Sequence, residues 1–383
     1  MEFLQKLLNI ENKKMNLLLC SPVSKDAKQA GGISVWANNI LEYLYFNEQE
    51  NIQYKVVACD RTSRINENTG IIKRLWCGIQ DYLSIVKDIK QHLKNEHIDV
   101  VHVNSTASIS SIKDILIACV AHRYGAKVAV HYHFGRIPKL IKQNNWEWKL
   151  VEKAIKMADM AIVMDNCSYE ALQDLGFKNI VNIPNPYSTA LEKQVNAIEG
   201  TVERVKHRIL YIGRAFRLKG IYELTEACTR IDNIELRVVG PYDEADKQNL
   251  LALCNNAPWF HFIGPIPHDK VLEELMACEV FVLPSYSEGF PNAILESMMC
   301  KTPIITTPVG AIPQMLELYT DHPCGISVGV KSVDDIAVAI ARVIDNEDLK
   351  KDMTERAYHK VRTEFNLQTV GAKLCATWKD MLK

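Results

Sequence analysis

Short β-rich runs alternate with longer amphipathic segments along this chain, and this alternation constrains its fold more than any other feature of the sequence. From residue 16 the runs read NLLLC, GISVWANNILEYL, YKVVAC, DYLSIVKDIKQHLKN and DVVHVN, and the series continues in the same manner to NIVNIPN. Strands that are joined by helical crossovers lie parallel in one sheet. The first part of the chain is therefore predicted to be a doubly wound α/β domain.

A second series of the same kind starts with RILYIG and continues through LRVVG, FHFIG, VFVLP, TPIITT and GISVG. A polar stretch without clear strand content separates the two series, as expected for an interdomain connection. A chain of 383 residues is also too long for one ordinary hydrophobic core. We therefore expect an N-terminal domain over 1–187, a linker over 188–206, a C-terminal domain over 207–365 and a final helix over 366–383.

The charge balance and the cysteines limit the classes of function. With 45 basic and 46 acidic residues the net charge is −1, so no overall field attracts nucleic acid, and any site for a polyanion must be local. The eleven cysteines show no C-x-x-C spacing, which is typical of reduced thiols. No apolar run approaches the roughly 18 residues of a membrane span, and the first residues lack a signal-peptide cleavage site. We expect a cytoplasmic protein.

Ligands of doubly wound sheets bind at the carboxyl ends of the strands, and the motif SEGFPNAILE follows such a strand. Its proline suits the first turn of a helix, whose free N–H groups bind anions with the positive end of the helix dipole. Carboxylates accept hydrogen bonds from hydroxyls, so Glu288 and Glu296 could hold polyols on opposite sides of a phosphate. An isolated pair with this spacing is more often a solvated loop acid and a helix-surface acid. The expected amide donors are those of Asn292, Ala293 and Ile294.

The motif YIGRAFRLKG places two cations at another strand end. Its strand ends at Gly213, and Arg214 and Lys219 bracket the turn into the next helix. An arginine fork and a mobile lysine suit a diphosphate and can neutralise a leaving group that gains negative charge. A basic loop of this kind, taken alone, is more often a solvated turn.

Two further motifs lie at strand ends of the first domain. In QAGGISVWANNI, Gly31 and Gly32 could let the backbone approach a ligand, although a tight turn fits equally well. In KVAVHYHFGRIP, His131 and His133 share one face of a strand. No third metal ligand lies nearby in the sequence, and a core histidine is the commoner case. We favour a His133 that orients a sugar hydroxyl.

In their order along the chain, the four motifs resemble those of the retaining nucleotide-sugar glycosyltransferases of family 4, which have the GT-B fold. The likeness spans nearly the whole chain and is strongest over 208–316. It implies an α/β protein in which two doubly wound Rossmann-like domains face each other across a cleft, and a C-terminal helix over 367–383 that returns to the first domain. Two departures, PNPYS at 184–188 and a looser loop around Gly31, affect the hinge and the acceptor side.

The resemblance also assigns roles. Glu288 contacts the hydroxyls of the transferred sugar, Glu296 holds the ribose, and His133 sits beside the reacting sugar. Arg214 and Lys219 stabilise the diphosphate. The expected catalytic residues are His133, Glu288, Arg214 and Lys219, and the expected donor-binding residues are Gly31, Gly32, Gly213, Arg214, Lys219, Glu288, Gly289, Phe290, Pro291, Asn292, Ala293, Ile294 and Glu296.

The function so implied is retaining transfer of a hexose-type sugar from a UDP- or GDP-sugar to a glycan or lipid-linked glycan in surface polysaccharide biosynthesis. No D-x-D pair stands at a strand end, so no metal and no cofactor is expected. A nucleotide-sugar epimerase or hydrolase, or a non-catalytic nucleotide-sugar-binding protein, remains an alternative, whereas the missing G-x-G-x-x-G disfavours a dinucleotide oxidoreductase. Peripheral contact with an anionic bilayer is as plausible as a solvated surface for the basic and aromatic residues Lys73, Arg74, Trp76, Lys139, Lys142, Trp146, Trp148 and Lys149.

Overall fold

The computed structural model describes residues 14–23, 32–59, 71–106 and 108–383, with the backbone alone for 71–77 and 79. The chain forms two compact units. Unit 1 comprises Met1–Met164, Ser168–Ile183 and Val370–Lys383, and unit 2 comprises Asp165–Cys167 and Pro184–Thr369.

Unit 1 is built on a six-stranded sheet in which every neighbouring pair of strands is parallel. The strand order is β2-β1-β3-β4-β5-β6. The strands are β1 (Met15–Ser21), β2 (Ile52–Ala58), β3 (Val100–Ser105), β4 (Lys127–Tyr132), β5 (Met160–Val163) and β6 (Ile180–Asn182). Strand β3 is buried along its whole length, as is usual when helices cover both faces of a parallel sheet.

The helices of this unit are α1 (Gly32–Phe46), α2 (Ile71–Asn95), α3 (Ser110–Arg123), α4 (Ile137–Gln143), α5 (Trp146–Met157) and most of α6 (Asn166–Asp174). Each connects two strands of the parallel sheet, which is the arrangement predicted from the alternating sequence.

The last helix of the chain, α15 (Leu367–Asp380), also packs in unit 1 from Val370 onward. Trp378 is fully buried, and its Nε1 donates to Nδ1 of His102 at 3.0 Å. A Cβ added to Gly371 would lie 2.5 Å from the ring of Tyr43, so only glycine lets the helix approach this closely.

Unit 2 contains a second parallel sheet with the strand order β12-β11-β10-β7-β8-β9. Its strands are β7 (Arg208–Ile212), β8 (Glu235–Val239), β9 (Phe260–Gly264), β10 (Val280–Leu283), β11 (Ile304–Thr306) and β12 (Ile326–Ser327). Its helices are α7 (Thr189–Ile198), α8 (Ile221–Cys228), α9 (Glu244–Leu253), α10 (His268–Ala277), α11 (Asn292–Met299), α12 (Ile312–Leu316), α13 (Val333–Ile344) and α14 (Glu347–Glu364).

The stretch over 188–206, which we expected to be a linker, contains helix α7 and is part of unit 2. Ser188 begins this helix by accepting a hydrogen bond from the amide of Leu191 at 3.0 Å. This helix was not predicted because its sequence is mostly polar. Leu191 and Val195 are its buried residues. Residues 184–187, which we expected in the N-terminal domain, are also part of unit 2.

Within the ranges that the structure describes, no helix is both long enough and apolar enough to cross a bilayer.

Candidate functional site

The strand order of unit 2 reverses between β7 and β10, which lie side by side with Leu210 opposite Phe281. Crevices at such switch points, outside the carboxyl ends of the strands, are the usual ligand sites of doubly wound sheets. The loop after β7 carries Arg214 and Lys219, and the loop after β10 carries Glu288. The topology therefore brings two of the predicted motifs to one place.

Lys219 and Glu288 are in direct contact. The lysine Nζ lies 2.5 Å from Oε1 of Glu288, and the hydroxyl of Ser285 donates to the same oxygen at 2.6 Å. The Glu288 side chain is only 11% exposed. Sequence analysis predicted both charged residues for the site but neither their contact nor the participation of Ser285.

Two glycines allow the loops to approach this closely. Gly220 has φ +73°, and a Cβ there would lie 2.0 Å from the carbonyl oxygen of Pro284. Gly310 has φ +59°, and its Cβ would lie 2.3 Å from the carbonyl oxygen of Glu288. The amide of Ala311 also donates to the carbonyl of Gly289 at 2.9 Å. The backbone around Glu288 is thus held from both sides.

Arg214 lies in a more open environment. Its Nη2 is 3.4 Å from Oδ1 of Asp243, and both side chains are more than half exposed, so this ion pair restrains the guanidinium only weakly. The carbonyl of Arg214 accepts a hydrogen bond from Tyr211 at 2.9 Å. Burial and the nearby Glu288 carboxylate raise the pKa of Tyr211, which therefore stays a neutral donor. Gly213 is also predicted for the site and directly follows β7. Its amide donates a hydrogen bond to the carbonyl of Val239.

The helix start after Glu288 differs in detail from the prediction. Pro291 is the residue before α11 rather than part of its first turn. The amide of Ile294 donates to the carbonyl of Pro291 at 3.1 Å, and its side chain is fully buried, so Ile294 is not a free donor. The amides of Asn292 and Ala293 have no acceptor among the described residues.

Phe290 belongs to the core of unit 2. Its ring is 7% exposed and packs edge-on against Phe365, with 5.6 Å between the ring centroids. The ring of Phe290 therefore packs in the core, and a role of this residue in donor binding stays a prediction. From the sequence alone, an aromatic motif residue that faces a ligand cannot be distinguished from one that packs in the core, because its packing partner lies far away in the chain.

Glu296 lies on α11 and contacts a residue that sequence analysis overlooked. Nε2 of His268 is 3.0 Å from Oε1 of Glu296, and Nδ1 of the same ring is 3.2 Å from Oε1 of Gln194. The hydrogen bond to Glu296 raises the pKa of His268, against the opposing effect of partial burial. The sequence offered only a weak signal, a polar PIPHDK segment at a helix start.

In unit 1 the strand order reverses between β1 and β3, and a hydrogen-bonded cluster lies at these strand ends. Asn104 Oδ1 is 2.9 Å from Nε2 of His133 and 3.2 Å from Nε2 of His102. The amide nitrogen of Asn104 donates to the hydroxyl of Ser21 at 2.8 Å. Sequence analysis favoured His133, whereas for HVNSTAS at residues 102–108 it left open a strand-end site and a capped helix start.

The protonation of this cluster follows from its burial. Burial lowers the pKa of His102 and of His133 from 6.5 to about 3, so both rings are neutral at physiological pH. Because an indole N–H can only donate, Trp378 leaves the proton of His102 on Nε2, from which it donates to Asn104. His133 donates to the same oxygen from Nε2, which leaves its Nδ1 as an acceptor.

The other predicted residues of unit 1 are placed differently. His131 is fully buried, and neither of its ring nitrogens has a hydrogen-bond partner among the described residues, so it is a core residue. Gly32 begins α1, and a Cβ there would meet no atom of the described part of the chain within 4 Å. Gly31 lies outside the described residues.

Two family models match the chain. The model described as "Glycosyltransferase Family 4" matches residues 30–191, and the model described as "Glycosyl transferases group 1" matches residues 198–360. Together they span most of the chain.

Curated relatives are similar at low identity. The protein of Bacillus subtilis (strain 168) named "Putative teichuronic acid biosynthesis glycosyltransferase TuaC" is 26% identical over 73% of this chain and 68% of its own length. The N,N'-diacetylbacillosaminyl-diphospho-undecaprenol alpha-1,3-N-acetylgalactosaminyltransferase of Campylobacter jejuni is 24% identical over 54% of this chain and 57% of its own length.

Solved structures match over nearly the whole chain. Sucrose-phosphate synthase from Thermosynechococcus elongatus superposes with a TM-score of 0.76 at 17% identity, covering 96% of this chain and 99% of that one. HepE of Anabaena, solved with UDP and glucose, superposes with a TM-score of 0.66 at 16% identity, covering 95% and 99%. At such identities these likenesses establish the fold, which is the predicted pair of Rossmann-like domains of the GT-B class.

Proposed function

Because this chain belongs to the family 4 glycosyltransferases, we propose that it transfers a hexose-type sugar, with retention, from a UDP- or GDP-sugar to a glycan or lipid-linked glycan in surface polysaccharide biosynthesis. The observation that carries this proposal is the contact of Lys219 with Glu288 at the switch point of unit 2, beside a helix start with two unpaired amides. HepE, of the same fold, was solved with UDP and glucose. The printed name of TuaC refers to teichuronic acid biosynthesis.

In this proposal each part of the donor has its own partners. The diphosphate accepts hydrogen bonds from the amides of Asn292 and Ala293, where the helix dipole favours negative charge. Lys219 and Arg214 add charge-assisted contacts. Glu288, held by Ser285 and Lys219, accepts hydrogen bonds from the sugar hydroxyls.

The reaction proposed is a front-face substitution. The bond between the anomeric carbon and the leaving phosphate oxygen breaks, and the acceptor oxygen forms its bond on the same face. The leaving phosphate takes the acceptor proton, while Lys219 and Arg214 stabilise the negative charge that develops on it. For His133, the neutral ring with a free Nδ1 suits acceptance of a hydrogen bond from a sugar hydroxyl. We propose that no metal and no cofactor takes part, because the two cations supply the charge that a metal would.

The proposal is tested with a panel of nucleotide sugars. A thermal-shift screen identifies the donor, since a ligand at one hundred times its dissociation constant stabilises by about 2.7 kcal/mol. NMR of the product then gives the anomeric configuration, which we expect to match that of the donor. An inverted linkage would contradict retention, turnover without any acceptor would indicate a hydrolase or epimerase, and activity that chelator abolishes and magnesium restores would contradict the metal-free reaction.

We further propose that the protein acts in the cytoplasm and contacts an anionic bilayer through helices α4 and α5. Lys139, Lys142 and Lys149 are exposed, and Trp146 is 58% exposed. Lys149 and Lys153, four residues apart, share one face of α5. Each lysine near such a surface contributes about 1 kcal/mol of attraction.

One residue of the predicted basic and aromatic set does not fit this contact. Trp148 is 5% exposed and packs in the core of unit 1, so it cannot touch a bilayer. The side chains of Lys73, Arg74 and Trp76 lie outside the described ones.

Flotation on anionic liposomes tests this contact. We expect binding that is lost in the double variant Lys149→Glu/Lys153→Glu and kept in the matched variant Lys87→Glu/Lys90→Glu, which reverses two exposed lysines of α2. Equal binding of the two double variants would contradict the proposal.

A further inference from the structure

His268, the first residue of α10, faces an oxygen atom with each of its ring nitrogens. Nε2 is 3.0 Å from Oε1 of Glu296 on α11, and Nδ1 is 3.2 Å from Oε1 of Gln194 on α7. A neutral imidazole has one N–H, whereas an imidazolium has two. The surroundings of this ring therefore match the imidazolium, which can donate to both oxygens at once.

The contact occupies only one oxygen of the Glu296 carboxylate. The Glu296 side chain is 15% exposed, whereas that of His268 is 49% exposed. In the part of the chain that the structure describes, no protein donor reaches Oε2 of Glu296. The histidine thus fixes the carboxylate through Oε1 and leaves Oε2 for a ligand.

The charges around the ring favour its protonated form. Glu296 faces it from α11 and Asp269 lies beside it on its own helix, while Gln194 from α7 is neutral. The two carboxylates raise the pKa of His268, and partial burial works against them. A helix start also disfavours a positive charge, so the carboxylates, Glu296 above all, are what keep the ring charged.

We propose that His268 is a positioning residue, whose imidazolium is held by Gln194 and in turn orients Glu296 so that its second oxygen meets the ribose hydroxyls of the nucleotide. This inference rests on the proposed function and extends it to a residue that contacts neither sugar nor phosphate in that scheme. When the ring loses its proton, one of its two hydrogen bonds must be given up or reversed, and the bond to Glu296 is no longer charge-assisted. Nucleotide affinity therefore falls as the pH rises through the pKa of His268.

The experiment compares uridine diphosphate with its 2′,3′-dideoxy counterpart by calorimetry, using the guanosine pair if uridine does not bind. The pH runs from about 7 to about 9, where most of the terminal phosphate of the probe is ionised. We expect His268→Gln to weaken the ribonucleotide about three- to ten-fold at pH 7, as for loss of a charge-assisted hydrogen bond, and to leave the dideoxynucleotide unchanged. The wild-type affinity for the ribonucleotide should fall across this pH range, and that of His268→Gln should not.

Two further variants complete the design. Glu296→Gln should weaken the ribonucleotide and remove its pH dependence, because the partner of the imidazolium is then neutral. His322→Gln, at an exposed histidine elsewhere in unit 2, should match the wild type in every arm.

The outcomes distinguish a failure of the positioning role of His268 from a failure of the proposed function. If His268→Gln weakens both nucleotides equally, or keeps the wild-type pH dependence, the positioning role is overturned and the proposed function stands. If the wild type binds neither nucleoside diphosphate, the proposed function is overturned and this inference falls with it.

Discussion

Among single residues, Glu288 is fixed by contacts from several parts of unit 2. Lys219 from the loop after β7 and Ser285 from its own loop both bond to its Oε1, and Gly310 packs against its carbonyl. A carboxylate held in this way can bind hydroxyls without first being ordered. Such preorganisation is a large part of what an active site contributes to catalysis.

We expect Glu288→Gln to lower the transfer rate at saturating donor by about 100-fold or more, in the range found for loss of one preorganised polar contact. The amide removes the charge that orients Lys219 and weakens the acceptor for the sugar hydroxyls. Steady-state kinetics with the donor found in the screen measures the effect. Glu273→Gln, which neutralises the acid of an exposed Lys–Glu pair on α10, is the matched control and should leave the rate unchanged. Equal rates for both variants would show that Glu288 has no part in the reaction.

The two histidines that contact Asn104 predict an acid sensitivity of unit 1. His102 and His133 have a pKa of about 3 in the folded protein against about 6.5 in the unfolded chain. Below pH 6.5 the unfolded chain therefore binds more protons, and stability is lost as the pH falls toward 3, by about 1.4 kcal/mol per histidine for each pH unit.

Tryptophan fluorescence during urea unfolding measures this loss, because Trp36 and Trp378 both contact His102. His131→Leu removes a third buried imidazole without removing a hydrogen bond, so it should make the decline with pH less steep. A stability that is constant between pH 6.5 and 4.5 would contradict the prediction.

At the scale of elements, the sequence predicted the strands and most helices well, because buried parallel strands such as VFVL in β10 are continuous apolar runs. It also located the loops after β7 and β10, since these motifs are local. It could not predict partners far apart in the chain, such as Lys219 with Glu288 or Glu296 with His268. These contacts depend on strand order and loop approach, which no local pattern encodes.

Gly310→Ala tests how far the loop around Glu288 depends on its neighbour. The added Cβ would lie 2.3 Å from the carbonyl of Glu288, and φ at this position is +59°. We expect displacement of the loop, a loss of transfer rate and a loss of more than about 2 kcal/mol in unfolding free energy, since strain and steric overlap add.

Gly264→Ala is the matched control for this variant. Its φ is +77°, but the nearest atom to an added Cβ is 4.0 Å away, so only the backbone strain of about 1 kcal/mol applies. Equal losses in the two variants would show that the close approach at Gly310 carries no extra constraint.

For the molecule as a whole, the path of the chain matters as much as its two sheets. The backbone leaves unit 1 at Ile183, builds unit 2 and returns at Val370. Helix α15 then adds Trp378 to the core of unit 1, with its Nε1 bonded to His102. Unit 1 is therefore assembled from both ends of the sequence.

Trp378→Phe should destabilise unit 1 by about 1–3 kcal/mol, because Nδ1 of His102 loses its donor inside the core. Hydrogen exchange followed by mass spectrometry can resolve the two units. We expect faster exchange in β1, β3 and α15 and unchanged exchange in unit 2. Phe365→Leu, in the core of unit 2, is the reciprocal variant and should speed exchange in unit 2 instead. Exchange that rises equally in both units after Trp378→Phe would contradict the prediction.

The return of α15 has a consequence for biosynthesis. Protein domains generally fold as units while the ribosome still extends the chain. Residues 370–383 are translated after all of unit 2, so the unit whose synthesis begins first is completed only after unit 2 has been synthesised. Until then Trp36 and His102 lack their indole neighbour, and the nascent chain carries an unfinished apolar surface throughout the translation of unit 2.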